Sequence, residues 1–323
     1  MTGNDDAAGP DKSGGADGSR RVAAIDCGTN SVRLLIADVG SALRDVDRRM
    51  EIVRLGEGVD RTGRLSEAAL ARTMSALETY ARRIDDLGAS AVRMVATSAT
   101  REAANAGEFV GGVRRLLGIT PEVVSGDEEA RLSFAGATHD LPGDVPAPYL
   151  VADIGGGSTE LVLGAADVAA ASSVDVGCVR LTERHFTSDP PGAAAAAAAR
   201  ADIEAALDDA ARSVPLGETA SLVGLAGSVT TVGGIHLGLP RYDAAAIHHS
   251  RVPADAVRAI SDRLLSSTRA QRAAIPVMHP GRVDVIAAGA LVLRCIVDRT
   301  DVAEVVVSEH DILDGIAWSL AAG

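Results

Sequence analysis

Two short glycine-rich turns, each opened by an aspartate, carry the residue types of phosphate and cation chemistry. The first runs Asp26-Cys-Gly28-Thr29-Asn30-Ser31, between the apolar runs Arg21–Ile25 and Val32–Val39. The second runs Asp153-Ile-Gly155-Gly156-Gly157-Ser158-Thr-Glu160, between Tyr149–Ala152 and Leu161–Leu163. Glycine lets backbone N–H groups approach phosphate oxygens, and an aspartate beside them can hold a cation. Neither turn has the lysine of a P-loop, and neither opens a helix as a dinucleotide fingerprint would. One such turn reads as a tight hairpin. Two matching turns point to a phosphoryl group and its metal, clamped from both sides. Mg²⁺ suits that place, since it takes one or two carboxylates, water and substrate phosphate oxygens. The carboxylates available are Asp26, Asp153 and Glu160. Glu160 fits either a contact to metal or bound water, or a solvated strand residue.

Three strand-to-helix junctions supply further candidates. In Ser125-Gly126-Asp127-Glu128-Glu129 the carboxylates sit where a helix macrodipole favours them, and where a rigidly held general base could act on water. Adjacent helical residues point about 100° apart, so only one of Glu128 and Glu129 can face a cleft; periodicity does not choose. Thr97-Ser98-Ala99-Thr100-Arg101 offers hydroxyls and free N–H groups to an anion, with Arg101 as a bidentate fork or else a surface arginine. Gly224-Leu-Ala-Gly227-Ser228 either lines a cleft where a substrate tail lies or packs a helix closely on a strand. The histidines offer less. No pair has helical metal-ligand spacing, so no zinc site is expected. His248 and His249 adjoin in an expected strand and should face opposite ways. His139, His185, His236, His279 and His310 read as structural or exposed.

The elements that position these residues alternate between strand and helix. Ser66 is a helix N-cap, Leu70, Met74, Leu77, Ala81, Ile84 and Leu87 recur at helical spacing, and Gly88 stops the helix. Val92–Ala96 reads as a buried strand, Arg101–Leu117 and Asp127–Ala137 as helices, and the Pro-rich stretch 139–148 as a loop between halves. The second half repeats the theme: an Ala-rich helix to about Ser213, a strand at Leu222–Ala226, helices at 228–235, 254–274 and 284–297, a strand at Val305–Val307 and a closing helix at 311–322. Asp26 and Asp153 lie 127 positions apart. A duplicated α/β architecture with a cleft between its halves accounts for that spacing. We expect a disordered tail over 1–19, a first domain over 20–133 and a second over 134–323, with the closing helix able to pack back on the first.

Composition narrows the partners. The net charge of −13 and an aromatic content of 2% argue against nucleic acid and anionic membrane. Lys12 is the single lysine, so cationic phosphate contacts must come from arginine or a metal. Cys27, Cys178 and Cys295 have no metal-ligand spacing and fit a reduced, cytoplasmic compartment.

The sequence resembles the exopolyphosphatase / guanosine pentaphosphate phosphohydrolase (Ppx/GppA) family of the actin-like ATPase superfamily. The matching segments are Asp26–Ser31, Ala96–Arg101, Ser125–Ala130, Asp153–Glu160, Gly177–Thr182 and Arg282–Ile286. The resemblance implies an actin-like (ribonuclease H-like), duplicated two-domain fold with an interdomain cleft. It makes Glu129 the base that orients water. It assigns Asp153, Gly155, Gly156 and Ser158 to Mg²⁺ and the terminal phosphate, Asn30 and Arg101 to phosphate, and Glu160 to the metal side. With the reading of the turns and junctions, the expected site has Gly28, Thr29, Asn30, Ser31, Arg101, Gly155, Gly156, Gly157, Ser158, Gly227 and Ser228 on phosphate, and Asp26, Asp153 and Glu160 on Mg²⁺ (or Mn²⁺). The implied substrate is inorganic polyphosphate, cleaved from its end. Guanosine pentaphosphate and a non-catalytic polyphosphate or nucleotide sensor are the alternatives. A homodimer is implied as well. Two departures stand out. Longer members add helical domains that extend a polyphosphate channel, which points this chain toward shorter substrates. Near the end the family often shows Ser-x-x-Gly-Leu-Arg-Glu-Gly, where this chain has Ser308-Glu-His-Asp311-Ile-Leu313-Asp-Gly315.

Overall fold

The computed structural model describes residues 19–321. Apart from Ser19, the tail expected over 1–19 lies outside the described residues. Among the described residues eleven strands form two sheets. The first sheet contains β1 (Arg20–Cys27), β2 (Ser31–Val39), β3 (Leu43–Ile52), β4 (Ala91–Ala96) and β5 (Glu122–Val123), in the order β3-β2-β1-β4-β5. The second contains β6 (Tyr149–Ile154), β7 (Thr159–Gly164), β8 (Val168–Val174), β9 (Ser221–Leu225), β10 (Arg251–Pro253) and β11 (Glu304–Val307), in the order β10-β11-β9-β6-β7-β8. Both follow one path. An antiparallel meander (β1-β2-β3 or β6-β7-β8) is extended from its first strand by two parallel neighbours, and the second sheet adds the antiparallel edge strand β10. The central strands are buried on both faces, which is why β1 and β2 read as nearly unbroken apolar runs.

Helix Glu67–Leu87 begins and ends as its caps dictate. The Ser66 hydroxyl accepts from Ala69 N–H, and Gly88 closes the helix at φ 66°. The helix expected over 101–117 is instead two, Ser98–Glu102 and Ala106–Leu117. The break is held by buried Asn105, whose amide accepts from Leu65 N–H at 2.8 Å and donates to the Leu65 carbonyl at 3.0 Å. The helix expected over 254–274 is likewise split, because Thr268 and Gln271 form a capping box that starts a new turn. His248 and His249 do not lie in a strand. They follow the short helix Ala244–Ile247, and His249 sits at φ +60°. Their rings consequently stack, with centroids 3.6 Å apart, rather than facing opposite ways.

The two halves exchange a helix. Helix Gly126–Thr138 follows the first sheet yet buries Ala130, Phe134 and Ala137 against Val151, Val162 and Val223 of the second. Helix Ile312–Ser319 follows the second sheet yet buries Ile312, Leu313 and Ile316 against Val22, Ala24 and Leu35 of the first. The boundary expected at 133/134 falls inside the first of these helices. The two helices cross at contact distance through glycines. A Cβ on Gly136 would overlap the Asp311 carbonyl, and one on Gly315 would overlap the Leu132 carbonyl. Between the halves lies a cleft. Among the described residues no helix is long and apolar enough to cross a membrane.

Candidate active site

The two glycine turns meet at the floor of the cleft. Each is closed by the same bond, Gly28 N–H to the Ser31 carbonyl at 3.0 Å and Gly155 N–H to the Ser158 carbonyl at 3.1 Å. They touch tip to tip, so that a Cβ on Gly156 would lie 2.9 Å from Thr29 Cβ. A Cβ on Gly157 would lie 2.6 Å from Ser98 Oγ and 2.8 Å from Thr29 Oγ1. Glycine here is a requirement of close approach, since even alanine would push the halves apart. The carbonyls of Gly155 and Gly156 accept from the N–H groups of Cys178, Val179 and Arg180, which open helix Cys178–His185. Those oxygens are therefore already paired.

Five carboxylates crowd into this buried space. Asp26 Oδ2 accepts from Arg33 at 2.6 and 3.0 Å, and Arg33 reaches on to Asp311. Asp153 Oδ2 accepts from Ser133 Oγ at 2.7 Å, and Glu160 Oε1 from Ser173 Oγ at 2.7 Å. Glu129 Oε2 accepts from Arg101 at 3.2 Å, while Arg101 also donates to the Val124 carbonyl at 2.8 Å. The electrostatics follow from burial and crowding. Burial, then the Asp311 charge, raises the Asp153 carboxyl to about 6. Burial, then the Asp153 charge, raises Glu160 to about 8. Glu129 is raised well above the usual range by burial and by Glu160, and Asp26 is raised by burial against the pull of Arg33. Asp311 goes the other way, because Arg33 outweighs the cost of its burial.

Two guanidinium groups pair with three of these five buried carboxylates, and the excess of negative charge must be offset by a proton or a cation. Asp26 Oδ1 and Asn30 Oδ1, both on the cleft wall, are buried acceptors with no partner. An oxygen-ligated divalent cation fits such a donor set. The three residues assigned to it do not form a closed cage. Among the described residues the one group of three His, Cys, Asp or Glu ligand atoms all within 4.8 Å of one another is Asp140, His248 and His310, elsewhere in the fold. That openness suits Mg²⁺, which keeps waters and substrate oxygens in its shell.

The sequence matches the Ppx/GppA phosphatase family over residues 35–322. The chain belongs to that family. It is 50% identical to Exopolyphosphatase 2 of Mycobacterium tuberculosis, over 93% of this chain and 98% of that one. The crystal structure of an exopolyphosphatase-like protein superposes with a TM-score of 0.90 at 40% identity, over 94% of this chain and 99% of that one. The Aquifex aeolicus Ppx/GPPA enzyme superposes with a TM-score of 0.78 at 30% identity, over 93% and 99% of the two chains. The fold is the duplicated α/β arrangement expected from the sequence, and it is shared with these Ppx/GppA structures.

In this Ppx/GppA chain most of the expected site residues share one wall. Asp26, Gly28, Thr29, Asn30, Ser31, Glu129, Asp153, Gly155, Gly156, Ser158, Glu160, Gly227 and Ser228 all line the cleft, which encloses about 90 Å³. Glu160 is 1% exposed, so it is no solvated strand residue. Of the two glutamates on helix Gly126–Thr138, Glu129 is buried in the cleft wall, while Glu128 faces outward toward Arg93. Two expected residues stand apart. Gly157 packs between the halves, with its carbonyl accepting from Arg180 at 2.7 Å. Arg101 opens onto a groove behind the cleft and touches it only through Glu129. The third junction serves both of its readings. Gly224 lets Val229 and Val305 pack close, whereas Gly227 leaves room for the Arg282 guanidinium. Ala226 between them is held at φ +65°, a strained backbone at the cleft edge.

Sequence reasoning missed Arg33, Arg282 and Asp311. Arg33 had a signal. It stands seven positions after Asp26, as Glu160 stands seven after Asp153, and each pair faces directly across its hairpin. Arg282 borders both the cleft and an adjoining chamber of about 470 Å³, and no carboxylate among the described residues pairs with it. Its nearest polar contacts are Thr231 Oγ1 and Met50 Sδ, both at 3.4 Å.

Proposed function

We propose that the protein is a Mg²⁺-dependent (or Mn²⁺-dependent) exopolyphosphatase that removes the terminal phosphate of short inorganic polyphosphate chains. The observation that carries this reading is the convergence of the two glycine turns, Asp153, Glu160 and Glu129 on one small cavity. Backbone N–H groups of the turns and the hydroxyls of Ser31, Ser158 and Ser228 suit the terminal phosphoryl group. A divalent ion held by Asp153 and Glu160, with the free oxygen of Asp26, would neutralise charge on phosphate oxygens. Glu129, fixed by Arg101, holds the attacking water and takes its proton. Arg282, without a carboxylate partner, is placed to meet the next phosphates as the chain leaves the cleft. The chamber beyond has the size of a small-molecule site, which favours short chains over a long channel.

Guanosine pentaphosphate is a second reading, favoured by Tyr242, Met50 and Met278 in the same chamber, where a base could lie against apolar surface. Phosphate release from tripolyphosphate, long polyphosphate, guanosine pentaphosphate and ATP, each with and without Mg²⁺, separates the readings. Tripolyphosphate should turn over fastest. Faster release from guanosine pentaphosphate would favour the second, and no release from any of the four would leave a binding protein.

A further inference from the structure

The junction that departs from the family pattern, Ser308-Glu-His-Asp311, points different ways with successive residues. Asp311 faces Arg33 in the cleft, and Glu309 accepts from the Tyr242 hydroxyl at 2.5 Å in the chamber. His310 faces away, into a cluster with no part in the phosphate site. His310 Nδ1 lies 2.9 Å from Asp140 Oδ2, and His248 Nε2 lies 3.1 Å from the same oxygen. His249 Nε2 lies 3.8 Å from Asp140 Oδ1. We propose that Asp140, His248 and His310 bind one divalent transition-metal ion of the zinc class, with water at the fourth position beside His249.

Four observations converge on this. Zinc bonds of about 2.0–2.2 Å at tetrahedral angles set donor atoms about 3.3 Å apart, and His310 and His248 stand 2.9 and 3.1 Å from one carboxylate oxygen, close to that value. The donors are imidazole nitrogens and a carboxylate, the set preferred by Zn²⁺, Co²⁺ and Ni²⁺ rather than by Mg²⁺. His249 Nε2 is buried without a hydrogen-bond partner, an orphan that a metal-bound water would satisfy. The backbone of His249 is held at φ +60°, with its N–H bonded to the Val307 carbonyl, and this strain is what turns its ring onto that of His248. The protonation states set one cost, since the bond to Asp140 raises the proton affinity of His310 against its burial, and the metal must displace that proton. Burial alone would raise Asp140, but its bonds to His248 and His310 outweigh that and hold it below the usual carboxylate range. Burial and the neighbouring His248 lower His249.

One bond opposes. His248 Nδ1 accepts from Glu309 N–H at 3.2 Å, and ligation through Nε2 moves the proton to Nδ1. The loss of that neutral hydrogen bond costs roughly tenfold in affinity, against the gain of a metal–nitrogen bond. The ion would tie the loop after helix Gly126–Thr138 to the junction that carries Glu309 and Asp311. Its role is structural, since none of its ligands lines the cleft.

Chelator-stripped full-length protein, in excess Mg²⁺ to saturate the carboxylate cleft, is titrated with Co²⁺ and then Zn²⁺. We expect one equivalent of Co²⁺ with the intense visible bands of a tetrahedral, nitrogen-ligated ion, displaced by Zn²⁺. His310→Ala and Asp140→Asn, each verified as folded by circular dichroism, should weaken binding by at least the roughly 10–100-fold seen when even an outer-shell partner is removed. Two results overturn the proposal. One is a weak octahedral spectrum from the parent protein; the other is a tetrahedral signal unchanged in both variants. Neither bears on phosphate release, so this site and the cleft stand or fall separately.

Discussion

Replacing Glu160 by Gln should stabilise the metal-free protein and reduce its response to Mg²⁺. Glu160 is 1% exposed, and its carboxyl is raised to about 8 from 4.5. Between those values the folded chain holds a proton that the unfolded chain releases. Stability is therefore fully present below about pH 4.5 and falls as pH rises toward 8, by up to about 1.4 kcal/mol per pH unit. At pH 7 the accumulated cost is about 3 kcal/mol, which corresponds to a melting temperature lower by about 5 °C in a chain of this size. Glutamine does not titrate. Its carbonyl can keep the bond from Ser173, and its amide can donate to the neighbouring carboxylates. Thermal denaturation of parent and variant at pH 5, 7 and 8, with chelator and with Mg²⁺, measures the effect. The parent should lose stability with pH in chelator and regain it with Mg²⁺; the variant should show a shallower slope and a smaller Mg²⁺ response. If the variant is the less stable protein at pH 7 without metal, the charge-crowding account of the cleft is wrong.

Glu129→Gln should lower kcat by about 10²–10⁴-fold with a much smaller change in KM, since it removes a base while keeping the shape of the cleft; near-normal turnover in steady-state assays removes Glu129 from that role. Arg33→Met leaves Asp26 and Asp311 buried without their cation and should cost roughly 3–5 kcal/mol. Urea denaturation reads this, and a loss below about 1 kcal/mol would show that the triad is not a structural unit. Asp153→Asn should raise the Mg²⁺ concentration needed for half-maximal phosphate release more than Asp26→Asn does, because Arg33 already holds one oxygen of Asp26. The reverse order would place the cation on the first turn.

The parts of the fold legible in the sequence are those set by local rules. The Ser66 cap and Gly88 stop bounded their helix, and the glycine turns stood between runs that became β1–β2 and β6–β7. Breaks imposed by tertiary contacts were not legible. Asn105 interrupts an otherwise helical stretch because it bonds to Leu65, forty positions away. The histidine cluster failed for a similar reason. Its donors come from positions 140, 248 and 310, which no spacing rule connects, and the left-handed backbone of His249 reverses the alternation a strand would give. Glu129 could be separated from Glu128 by resemblance but not by periodicity. The fold separates them by crossing its helix onto the second sheet, which turns one carboxylate into the cleft and leaves the other on the surface.

The repeated turn hides an asymmetry that matters more than the repeat. Directly across the hairpin from Asp26 stands Arg33; across from Asp153 stands Glu160. Residues opposite one another in an antiparallel pair lie about 5 Å apart, close enough for their charges to decide each other's state. In the first hairpin the pair is near neutral and is tied off further by Asp311. In the second it is two carboxylates with only hydroxyl partners, and both are raised. The same backbone motif thus offers phosphate the same N–H groups on both sides while presenting a cation with very different fields. A divalent ion gains most beside Asp153 and Glu160, and Glu129 stands within the influence of that same excess charge. Binding the ion would lower the proton affinity of all three together. The ion would thereby favour the ionised Glu129 that can accept a proton from water, which links readiness for hydrolysis to metal loading through charge.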